Sequence, residues 1–233
     1  LGDSDTLVTL GSATTLSAAS GGTITLGSNI QSSNIGLTIS GAGNTVIASV
    51  IDIGSGALTK SGSGTLTLTG ADTYSGGTTV STGTLVAGGA ANALGTGSVS
   101  VASRLSFDTL AAVSYANAFS VTGSGIFENI GSNAITTTGG INTNLSTSVV
   151  VDGGSAGLTI ANVMTPTGTG ASYYIKGNLT FTGHNMNSLV IRAAGVSTAN
   201  FTLTNGVSSF TPWFIGSDTA DNAMNIDVAS GVT

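Results

Sequence analysis

The sequence predicts an all-β chain, wound as a single-stranded right-handed parallel β-helix (a β-solenoid) with coils of about 20 residues. Three observations predict it. Short apolar alternations such as Leu66/Leu68 and Leu85/Val86 are cut apart by glycine turns, the pattern of half-buried strands. The step from Leu66 to Leu85 is too short for a domain and right for one such coil. Composition agrees: 40% of residues are hydrophobic but only 5% aromatic, so the core must be Leu, Val, Ile and Ala. A narrow aliphatic core is what stacked coils require.

Charged residues are only 6% of the chain, against about 25% in ordinary soluble domains. Equivalent positions on successive coils lie about 4.8 Å apart. A charge repeated on each coil would meet its own kind at a cost of about 1 kcal/mol per pair even in water. Ser, Thr and Asn form neutral hydrogen-bonded ladders there instead.

In chain order, Leu1-Gly2-Asp3-Ser4-Asp5 reads as a solvated terminus; its one D-x-D is a weak calcium signal. Leu7/Leu10, Leu16, Ile24/Leu26, Ile30 and Leu37/Ile39 follow as short alternations, set off by glycines. The step from Leu37 to Leu58 is again one coil. Residues 45–53 (TVIASVIDI) face the core on alternate positions, with Asp52 exposed on the other face.

The stretch from Gly56 to Val101 organises the rest. Its wording, LTKSGSGTLTLTGADTYSGGTTV followed by GTLVAGGAANALGTGSVSV, closely resembles the autotransporter-associated β-strand repeat of bacterial type V secreted proteins. The resemblance covers residues 56–101 and implies a β-helical passenger exported to the bacterial cell surface or beyond. It implies no single activity, because such passengers serve as adhesins, enzyme carriers and stalks. The export signal and membrane barrel that it also implies would lie outside these residues, making the chain a segment of a longer exported protein.

Residues 104–118 (RLSFDTLAAVSYANA) are poorer in glycine, but Phe107, Val113 and Tyr115 favour strand over helix. Residues 119–137 return to strand and turn, and Glu128, the only Glu, reads as exposed. The beat then continues at one-coil steps, from Leu158-Thr159-Ile160 to Leu179-Thr180-Phe181 and on to Phe201-Thr202-Leu203. One continuous solenoid over residues 1–233 is therefore expected. Loop insertions are expected near 164–170, where Pro166 cannot donate to a ladder, and near 210–222.

Chemistry is sparse. His184 is the only histidine and there is no cysteine, so a zinc site lacks ligands and a serine triad lacks its G-x-S-x-G elbow. His184 reads as a surface turn. No catalytic residue, metal or cofactor is expected, and the chain is read as not an enzyme. Binding candidates are Trp213 and Phe214, an aromatic pair beside Pro212, with Asp218 and Asp221. With Asp227 and Arg192 these carboxylates could also line a polysaccharide-lyase-like cleft.

Net charge of −6, with Lys60, Arg104, Lys176 and Arg192 the only basic groups, argues against nucleic acid and anionic membranes. No apolar run reaches the roughly 20 residues of a membrane-spanning helix. The leading expectation is a non-catalytic structural or adhesive segment of an extracellular or cell-surface protein. The alternatives are a self-assembling filament or sheath subunit, joined through solenoid ends, and a polysaccharide-active β-helix. Other surface proteins or glycans are the further partners considered.

Overall fold

The computed structural model describes residues 7–144, 149–161, 164–167, 173–182, 185–187, 190–193, 199–204, 209–211, 214–217 and 224–228. Among them every regular element is a β-strand, and the strands pair in parallel. The chain divides into two compact units, Leu1–Leu110 and Ala111–Thr233. Each is a β-solenoid.

In the first unit, one sheet stacks Thr14–Ala18, Leu37–Gly41, Leu58–Lys60, Thr78–Val80 and Val99–Val101. A second stacks Thr23–Leu26, Asn44–Ile47, Thr65–Leu68, Thr84–Ala87 and Arg104–Phe107. A third is short: Leu7–Thr9, Asn29–Gln31 and Ile51–Asp52. Register follows the apolar beat, with Leu37 beside Leu58 and Thr45, Leu66, Leu85 and Leu105 in one row. Leu66, Leu68, Leu85 and Ala87 are wholly buried, while Thr65, Thr67, Thr84 and Val86 alternate outward. Thr45, Ile47, Ile51 and Ile53 face the core and Asp52 is exposed, as the alternation requires.

Tight turns between the first two sheets explain the glycines. A Cβ on Gly64 would lie 1.8 Å from the carbonyl oxygen of Gly43, one coil before. At the corners, where ladders lapse, asparagines supply the missing acceptors. The side-chain oxygens of Asn29, Asn34 and Asn44 accept the backbone N–H of Val50 (3.1 Å), Ser55 (2.8 Å) and Thr65 (3.1 Å), each one coil on.

The second unit repeats this plan with slightly longer coils. Ile135, Leu158, Leu179, Phe201 and Ile226 form one row across its stacked strands. Another sheet stacks Ile126–Asn129, Val149–Asp152, Tyr173–Lys176, Val190–Ala193 and Phe214–Ser217. Aromatic pairs pack inside this unit: Phe119–Phe127 (5.0 Å, edge-on) and Phe181–Phe201 (4.9 Å). A neutral ladder is present here: Asn200 Nδ2 donates to Asn178 Oδ1 (2.6 Å), and Asn178 Nδ2 to the Ser155 carbonyl (2.8 Å).

Residues 104–118 contain the strands Arg104–Phe107 and Val113–Tyr115, as propensity favours. Strands run into both stretches expected to be loops. Met164–Thr167 is a strand, with Pro166 beside Thr143; it is the last of its sheet among the described residues, where a missing N–H costs no ladder bond. The strands Ser209–Thr211 and Phe214–Ser217 occupy part of 210–222. Glu128 is half-buried rather than exposed, because it sits mid-strand with Asp152 as its neighbour one coil on.

Candidate functional site

Three of the polar groups that the first unit buries, Lys60, Asp72 and Thr78, lie in the stretch that follows Gly56. Its third sheet stops at Ile51–Asp52, and the next coil crosses that face as the turn Gly70–Gly77. Before this point, the N–H of Ile30 donates to the Val50 carbonyl of the following coil (2.9 Å). The equivalent N–H of Ile51 donates instead to Asp72 Oδ1 (2.8 Å), so a side chain stands in for the missing strand. The pairing is completed by Thr73 N–H to the Ile51 carbonyl (3.0 Å) and Ser75 N–H to the Gly54 carbonyl (2.8 Å).

Asp72 is fully buried, and its second oxygen, Oδ2, has no hydrogen-bond partner. Burial therefore pushes its pKa up to about 7, against a smaller downward pull from the Ile51 N–H. Gly70 leaves space beside the carboxyl: a Cβ there would lie 3.1 Å from Asp72 Oδ1 and 2.1 Å from the Ser49 carbonyl oxygen. Tyr74 is also fully buried. Its hydroxyl lies 2.6 Å from Thr78 Oγ1, which donates to the Leu94 carbonyl (3.0 Å), so the phenol is the donor to threonine. Burial raises the Tyr74 pKa, the Thr78 bond opposes this, and the Asp72 charge adds to the rise. Gly95 lies on the ring, where a Cβ would come within 2.6 Å of Cε2. Asn92 Nδ2 donates to the Asp72 carbonyl (2.9 Å), tying the next coil to this one.

At another corner, Lys60 is buried between Ile39 and Val80 in register. Its ammonium donates to the carbonyls of Gly62 and Thr82, clamping the turns of two successive coils. Desolvation lowers its pKa. Among the described residues Lys60 has carbonyl partners only.

Residues 58–87, which hold Lys60, Asp72, Tyr74 and Thr78, match the passenger-associated transport repeat. The chain carries an autotransporter passenger repeat. No curated protein and no solved structure matches the chain. Folded here as coils of a β-solenoid, this repeat is one of autotransporter passenger regions, which are secreted or surface-exposed. Within the repeat, the buried polar side chains hold coil to coil, and their partners are backbone groups or one another.

Among the described residues, four of the second unit's charged groups, Glu128, Asp152, Lys176 and Arg192, lie on one sheet. Glu128, Asp152 and Lys176 are consecutive neighbours across its strands, all half-buried at outward positions. Ile126, Val150 and Tyr174 form the adjoining outward row, and Arg192 is the next register partner of Tyr174. Asp152 Oδ1 accepts the Gly154 N–H (2.9 Å). Sequence reasoning missed this stripe, because each of its members lies a whole coil from the next.

Of the binding candidates, Phe214 opens the strand Phe214–Ser217 beside Val190, whereas Trp213, Asp218 and Asp221 lie outside the described residues. His184 lies outside them too. Arg192 and Asp227 stand in different sheets, Asp227 beside Thr202. Among the described residues no group of three His, Cys, Asp or Glu is placed to hold a metal ion.

Proposed function

We propose that this segment is non-catalytic: a structural stalk that presents an adhesive outer face. The observation that carries the reading is a passenger-associated transport repeat whose buried polar side chains are engaged in coil-to-coil bonding. The adhesive half draws on the stripe Glu128, Asp152, Tyr174 and Lys176, which sets charge and an aromatic ring at outward positions of one sheet. Aromatic and charged groups at a surface are the usual anchors of recognition.

The test is adhesion of the purified chain to host-cell and abiotic surfaces, beside a variant carrying Asp152→Thr, Tyr174→Thr and Lys176→Thr. Saturable binding that the variant loses is expected. Absence of binding by the unsubstituted chain would leave the stalk and remove the adhesive role. Release of sugar or unsaturated uronate from polysaccharides would overturn the non-catalytic reading.

A further inference from the structure

We propose that Asp72 is a proton-operated latch, which holds the turn Gly70–Gly77 on the edge of the third sheet when neutral and loosens it when ionised. The geometry is that of a side chain asked to imitate a backbone carbonyl. Oδ1 does this fully, accepting the Ile51 N–H at 2.8 Å as a neighbouring strand would. Oδ2 has no counterpart in a peptide group; it is buried with no hydrogen-bond partner. A neutral carboxyl leaves one polar atom unmatched there, whereas a carboxylate leaves a charge.

Among the described residues, no group on the neighbouring coils offsets that charge. On the preceding coil, the titratable residue beside the contact is Asp52, whose side chain is exposed on the opposite face of its strand. On the turn itself it is Tyr74, whose hydroxyl is committed to Thr78. The following coil covers Asp72 with residues 88–95 (GGAANALG), which contain no titratable side chain. Lys60, the first unit's buried cation, is held by the Gly62 and Thr82 carbonyls instead.

The sign follows from linkage. The folded state keeps its proton up to about pH 7, while the unfolded carboxyl loses it near 3.8. Docking is thus undiminished below about pH 4, weakens steadily as pH rises between those values, and stays weak above them. Over that window the equilibrium for lifting the turn should rise by about 10³-fold. An acid medium locks the corner; a neutral or alkaline one exposes the Ile51 edge.

Amide hydrogen exchange at Ile51, Thr73 and Ser75 reads the latch directly, once corrected for the intrinsic pH dependence of exchange. In the whole chain, protection should fall by about 10³-fold from pH 4 to pH 8, and the Asp72→Asn variant should show a flat profile. A flat profile in the unsubstituted chain, or the same fall in Asp72→Asn, would overturn the proposal. Should Asp72→Asn fail to fold, a carboxyl-carbon NMR titration of the unsubstituted chain decides. A midpoint above about 6 supports the latch, and one in the ordinary carboxylate range refutes it.

Discussion

Replacing Leu66 tests the packing at its centre. The side chain is wholly buried, flanked in register by Thr45 one coil before and Leu85 one coil after. Leu66→Ala removes the isobutyl group's transfer energy and leaves a void, because the strands on both sides are fixed by their ladders. The cost should be about 2–5 kcal/mol. Leu66→Asp adds an unpaired charge and should exceed it, abolishing the cooperative transition if the unit is of ordinary stability. Thr67→Asp changes the next residue, which points outward between Val46 and Val86, and should cost under about 1 kcal/mol. Equilibrium denaturation with urea, followed by far-ultraviolet circular dichroism, measures all three. Equal effects at positions 66 and 67 would refute the register.

Other outcomes follow from the corners. Gly64→Ala should destabilise by at least about 1–3 kcal/mol, since its Cβ would meet the Gly43 carbonyl; thermal unfolding reads this. Lys60→Ala should cost about 2–5 kcal/mol in a denaturant titration, by opening a void and stranding the Gly62 and Thr82 carbonyls. Asp72→Asn should match the unsubstituted chain at pH 4 and exceed its stability at pH 8 by up to about 4 kcal/mol, the worth of a shift from 3.8 to about 7.

Much of the fold was legible because a solenoid writes its architecture twice, in period-two alternation and in coil spacing. Leu66 and Leu85, Leu37 and Leu58, and Leu179 and Phe201 are neighbours at the separations that the sequence displays. The polar interior was harder to see. Lys60 occupies an inward phase, next but one after Leu58, and that phase was its one signal. Asp72 lies in a turn without periodicity, and its burial depends on where the third sheet ends. Pro166 misled because a breaker inside a sheet is harmless on its last strand. The stripe of Glu128, Asp152 and Lys176 exists only in the stacked register, across coils longer than those of the first unit.

The central claim is that the passenger-associated transport repeat works by stacking coil on coil in the observed register. The chain has no cysteine, so an introduced pair reports that register without interference. Thr67 and Val86 are outward-facing register partners on adjacent coils. Strands in a sheet lie about 4.8 Å apart, within the range that a disulfide spans. Oxidation of a Thr67→Cys, Val86→Cys double variant should give a rapid, near-complete intramolecular disulfide, whereas Thr67→Cys with Leu85→Cys, on opposite faces, should remain reduced. Equal cross-linking of the two pairs, or preference for the second, would contradict the account.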